Sequence, residues 1–252
     1  MSTLAMPRAR VINAYLEEMR SECLRYLRNP GFMLPTMLFP TVFYLMFGVF
    51  LARQGGEAAR YLLAAYGTFG VMAPGLFGFG VSFSMERENG MLTLKRAQPM
   101  PPFAYIAAKM AMAMVVAAGV LTLLVLLAVF VAHVPVTGRQ IAALYLANVP
   151  GVLPFCALGL LLGTLVKGQG APALINMIYL PMAFLSGLWF PVTALPRALQ
   201  QIAPVLPSYH LNALALDAVD IVQVQALPHG AMLAAFTVAM SWLAARRLRK
   251  VG

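Results

Sequence analysis

The 252 residues are 61% hydrophobic and only 10% charged, against roughly 45–50% and about 25% in an ordinary soluble domain. No water-soluble fold of this size can hide so much apolar side chain, and a net charge of +10 carried in short connectors points to anionic lipid headgroups rather than nucleic acid. The two cysteines, Cys23 and Cys156, fall in a polar N-terminal segment and inside an apolar run, which gives no sign of a disulfide framework or a metal cluster.

Ahead of the first apolar run, Ile12, Leu16, Met19, Cys23 and Tyr26 or Leu27 recur at helical spacing, with Arg20, Arg25 and Arg28 between them. Residues 7–29 therefore read as an amphipathic helix lying on the membrane surface. They do not read as a cleaved signal peptide, since Glu17, Glu18 and Glu22 interrupt any apolar core. Stretches long enough for a helical crossing, about 20 residues each, follow at 31–51, 61–85, 103–132, 140–166, 171–190 and 226–245. The second holds Pro74 and glycines 67, 70, 75, 78 and 80, which predicts a kinked helix packed closely on its neighbours. In the third, Lys109 is expected to extend toward the headgroups. The fourth carries Pro150, Pro154 and the pair Gly159 and Gly163, one turn apart.

Between the fifth and sixth stretches, residues 191–221 are too polar to cross and too apolar for a free loop. Leu195, Leu199 and Ile202 share a helical face, Pro204 and Pro207 interrupt, and Leu211, Leu214 and Leu216 resume. This predicts a re-entrant pair of short helices dipping into the outer leaflet, covered by protein or facing a water-filled cavity. Counted over alternate connectors, 14 of the 18 Lys and Arg fall on one side and 4 on the other. Cytoplasmic loops retain positive charge, so both termini are expected inside. The predicted fold is an all-α membrane protein with six transmembrane helices, one domain over residues 1–252.

Catalytic chemistry is hard to find. No GxxxxGK[ST] loop is present, and Gly163 to Gly170 does not supply one. His133, His210 and His229 fall at predicted outer edges without ligand-like spacing, and Ser186 lacks the glycine that precedes a hydrolase nucleophile. No acidic residue lies within a predicted span, unlike the proton- and sodium-driven carriers. Any energy for transport must come from elsewhere.

The most informative polar segment is the connector 86–96, Glu-Arg-Glu-Asn-Gly-Met-Leu-Thr-Leu-Lys-Arg. Its charges alternate immediately beyond the kinked span, and Leu92 and Leu94 are suited to insert into a partner's groove. Glu86-Arg87-Glu88-x-Gly90, then Leu92, Pro99 and Lys109, closely resembles the loop after the second span of type-2 ABC transporter permeases, the membrane subunits of ATP-driven exporters. Leu185-Ser186-Gly187-Leu188-Trp189-Phe190-Pro191, followed by Leu195-Pro196, Leu199-Gln200 and Pro204 or Pro207, resembles that family's passage from the fifth span into its outer hairpin. Leu27-Arg28-Asn29-Pro30 is a third, shorter likeness. The sequence departs from the pattern at Met91, where the family commonly has a small hydroxyl residue, and after Ala213-Leu214, where many members carry an arginine.

The resemblance implies a cytoplasmic coupling helix that docks on a separate ATP-hydrolysing subunit. Glu86, Arg87 and Glu88 would supply charged contacts, Gly90 a bend, and Leu92 the buried anchor, with Leu94 a further contact. It further implies two ATPase copies, which bind the ATP and Mg, no cofactor in this chain, and a second permease copy, identical or related. The location implied is a bacterial inner membrane. Tyr66, Thr68, Asn148, Asn176 and Ser186 are candidates to line a translocation path between the copies, a hydrogen bond between neighbouring helices being the commoner role for such residues. A membrane scaffold, or a channel or secondary carrier without an ATPase, is the alternative class; nothing in the residues names a cargo.

Overall fold

In hydrocarbon each backbone N–H and C=O must find its partner within its own segment or element, and the described residues form helices and turns with no strand among them. The computed structural model describes residues 8–51, 56–97, 101 and 103–251, so Arg53, Pro99 and Pro102 lie outside the described residues. Helix α1 (Arg8–Leu27) is followed by α2 (Pro30–Phe43). Pro30 starts α2, where its missing N–H would have had no helical partner anyway, and the helix continues in π winding over Tyr44–Leu51. Next, α3 (Glu57–Ala73), a π-helical stretch Pro74–Val81 and α4 (Ser82–Glu88) run on as one helix. Then come α5 (Met91–Ala97), α6 (Ala104–Phe130), α7 (Gly138–Asn148), α8 (Leu153–Leu165), α9 (Ala171–Leu185), α10 (Arg197–Ile202), α11 (Pro207–Ala218) and α12 (Ala226–Val251).

Among the described residues five helices are long and apolar enough to cross a membrane: Pro30–Phe50, Glu57–Glu88, Ala104–Phe130, Gly138–Leu165 and Ala226–Arg249. The stretch expected as a sixth, 171–190, is helical only over the 15 residues of α9. That is about 22 Å of helix, yet its flanks reach both ends of the Glu57–Glu88 helix, the Gly168 N–H donating to Glu88 at one end and Gly187 meeting Tyr61 at the other. The helix stops because Gly187 turns left-handed, at φ +78, and its carbonyl accepts a 2.5 Å hydrogen bond from the Tyr61 hydroxyl. Pro74 leaves the central helix unbroken, in keeping with the kinked but continuous helix expected. Its ring displaces the carbonyl one turn back, and the chain widens into π winding instead of breaking.

The Glu57–Glu88 helix sits at the centre, flanked by α6 and α8. Glycine brings α8 into backbone contact with the π-helical stretch: a Cβ at Gly159 would lie 2.6 Å from the Gly75 carbonyl oxygen, and one at Gly163 2.7 Å from that of Gly80. Helix α1 lies along α6, with Glu22 and Tyr26 buried and Ile12, Leu16 and Leu27 exposed. At the other end of the bundle α11 packs on α3, α7 and α12.

Candidate functional site

Helix α4 hands over to α5 at an elbow, Asn89 and Gly90. Gly90 has φ +71, a backbone state that glycine enters without penalty, and a side chain there would meet no atom within 4 Å. Conformation, not space, asks for glycine at this position.

Behind the elbow three acids and three bases from four helices meet. Glu86 of α4 accepts hydrogen bonds from Lys109 Nζ of α6 (2.9 Å) and the Tyr105 hydroxyl (2.5 Å), and pairs with Arg25 Nη1 of α1 at 2.8 Å. Glu22 of α1 accepts from Lys109 (3.0 Å), from Lys95 of α5 (2.8 Å) and from Arg25. Glu18 pairs with Lys95. Lys109 gives its third N–H to Ser82 Oγ at 2.7 Å, so all three of its donors are used.

Lys109 is 1% exposed and Glu22 2%. The lysine expected to reach for headgroups is therefore among the most buried side chains of the protein. Desolvating an ammonium is tolerable only with close counter-charge and full hydrogen bonding, and α1, folded over α6, supplies Glu22 for that purpose. Burial pushes the Glu22 carboxyl up, but Lys109, the hydrogen bond from Lys95 and Arg25 outweigh it and hold the group at about 2, against an ordinary 4.5. A carboxyl lowered by folding stabilises the fold above its unfolded value and loses that contribution as pH falls through its folded value. Thermal unfolding in detergent should therefore vary little between pH 7 and 5 and drop below about 4.5, with Glu22 accounting for up to about 3 kcal/mol. Glu22→Gln should start lower and show a shallower acid limb; an unchanged limb would mean that the carboxylate is not held by these cations.

The remaining charges of the elbow also turn toward their own chain. Arg87 donates to the Thr164 and Val166 carbonyls, at 2.9 and 2.8 Å, capping the C-terminal end of α8 where a cation is favoured. Glu88 accepts from the Gly168 backbone N–H at 2.8 Å. Leu92 is half-buried against the core. The elbow leaves Met85, Met91 and Leu94 exposed, Leu94 by 63%, beside Glu88, Asn89 and Thr93.

The path candidates separate. Tyr66 packs among Phe43 and Phe69, Thr68 donates to Asn148 Oδ1 at 3.4 Å, and buried Ser186 shares a hydrogen with Ser208 at 2.5 Å. Asn176 is exposed on α9, next to Met177, which is 74% exposed. The histidines hold what sequence reasoning missed. His210 and His229, 19 positions apart, meet Nδ1 to Nδ1 at 2.9 Å, because Asp217 Oδ1 accepts from the Val224 N–H and closes the turn from α11 to α12.

A bundle of membrane-length helices defines an integral membrane protein. The model of the ABC-2 type transporter family matches residues 16–218, from within α1 to the last residue of α11, and the chain belongs to that family. It is 28% identical over 206 residues to a Bacillus subtilis (strain 168) protein named "Putative transport permease YvfS", covering 80% of this chain and 84% of that one. Membership implies partnership with an ABC ATPase subunit.

Proposed function

We propose that the chain is the membrane subunit of an ATP-driven exporter, with the α4–α5 elbow seated on a separate ATP-hydrolysing subunit. The supporting observation is the way the elbow divides its side chains. Glu86, Arg87 and Glu88 bind helices of their own chain, while Met85, Met91 and Leu94 stay bare. A lever needs a stiff connection to its load and a free surface for its engine. Displacing the elbow would act on α1 and α6 through Lys95 and Lys109, and on α8 through Arg87, moving packed helices as rigid bodies.

In this reading Gly90 sets the bend, and Leu94 is the anchor rather than Leu92. The elbow and both termini lie in the cytoplasm of a bacterial inner membrane, as the 14 to 4 distribution of basic residues supports, and Ile12, Leu16 and Leu27 of α1 rest in the lipid interface. ATP and Mg remain with two partner subunits, and cargo passes between two permease copies. Asn176 faces that path, while Tyr66, Thr68 and Ser186 hold helices together behind it. In a reconstituted complex, Leu94→Glu is expected to cut the ATPase stimulation by about tenfold or more. Its thermal midpoint should not move, since Leu94 touches little of its own chain. Full stimulation by this variant would remove the elbow from the interface.

A further inference from the structure

We propose that His210 and His229 form a binding site for a divalent transition-metal cation of the Cu2+, Ni2+ or Zn2+ class, linking α11 to the first turn of α12. Their Nδ1 atoms are 2.9 Å apart, and His210 Nε2 lies 2.8 Å from the Pro204 carbonyl oxygen. A carbonyl only accepts, so Nε2 carries the hydrogen and Nδ1 of His210 presents its lone pair to the partner ring. Anchoring the far nitrogen on a carbonyl is how metal-ligating histidines are commonly oriented. Tyr209 packs against both rings, with centroids 5.5 and 6.4 Å away, which restricts their rotation.

Without metal, His229 must donate its Nδ1–H across the gap. With metal, the cation takes that hydrogen's place and His229 carries its proton on Nε2 instead. Metal–nitrogen bonds of about 2.0–2.1 Å across a 2.9 Å separation give an angle near 90°, the cis angle of square-planar Cu(II) or Ni(II). Tetrahedral Zn(II) would need the rings to part by roughly 0.4 Å. Among the described residues no third His, Cys, Asp or Glu completes a cluster, so water would fill the other positions. Both rings are half-buried, with an edge open to solution, and the transport reading gives neither a task.

The test is a titration of the purified full chain in detergent, carrying an affinity tag free of histidine, with CuCl2 alone. One Cu2+ per chain is expected, with the electron paramagnetic signature of two nitrogen ligands. His210→Ala and His229→Ala should each weaken binding about 100-fold or more, beyond the loss typical of an outer-shell change, and His133→Ala should not. Added Cu2+ should raise the thermal midpoint of the wild type and of His133→Ala only. Binding that survives in both alanine variants, a wild-type signature with fewer than two nitrogens, or no binding would each overturn the site and leave a hydrogen-bonded clamp. The nitrogen count is read on the unaltered chain, so a variant that fails to fold does not shelter the proposal.

Discussion

Lys109→Met is expected to destabilise the protein by about 3–5 kcal/mol, the range for stripping one partner from a buried ion pair. With the ammonium gone, Glu22 and Glu86 face each other with one fewer cation between them, and Ser82 Oγ loses its donor. Arg25 can only partly compensate, because it already pairs with both acids from a position nearer the surface. The double variant Lys109→Met with Glu86→Gln leaves two acids and two bases in the cluster and should recover part of the loss. A coupling of about 0.5–3 kcal/mol is expected from the thermal unfolding of the two single variants and the double one. Strict additivity would show that the ions act separately and that α1, α4 and α6 are not locked together. At temperatures where Lys109→Met still folds, ATPase stimulation should fall with it, since the elbow would keep only its Tyr105 hydrogen bond from Glu86 to α6.

Gly159→Val should be nearly as damaging, for steric reasons. The new Cβ would meet the Gly75 carbonyl oxygen at 2.6 Å, the Gly80 nitrogen at 3.2 Å and the Leu76 Cα at 3.3 Å. All three are backbone atoms of the π-helical stretch and cannot rotate away, so α8 and the central helix must part along their length. Overpacking costs about 1–3 kcal/mol where side chains can adjust, and the upper end or beyond is expected here. Gly119→Ala is the control: the new Cβ would first meet the Met37 methyl, at 3.6 Å, and its stability should stay within about 0.5 kcal/mol of wild type.

Much of the helical framework was legible because a hydrocarbon crossing has a length and a composition, and the runs beginning at 31, 61, 103, 140 and 226 meet both. The run 171–190 meets the composition, but only 15 of its residues are α-helical. Hydropathy counts apolar residues whether or not the chain stays helical, and a left-handed Gly187 ended the helix early. Lys109 was misread for a related reason: a lone lysine in an apolar run shows no acceptors, and its own come from α1, far back in the chain. A signal for them existed, since Glu18 and Glu22 lie one turn apart on α1. The resemblance gave Glu86, Arg87 and Glu88 one shared role as charged contacts, but neighbours on a helix point about 100° apart. One meets the ion cluster, one caps α8 and one reaches Gly168. The histidine pair depends on a tertiary turn, which no spacing rule could reveal.

The most direct test of the elbow as the seat of the ATPase is photo-cross-linking in the native membrane. A photoreactive side chain at Leu94 should capture an ATP-hydrolysing subunit, and the same group at Leu227, 85% exposed at the opposite end of the bundle, should not. Capture at Leu227 with none at Leu94 would contradict the account.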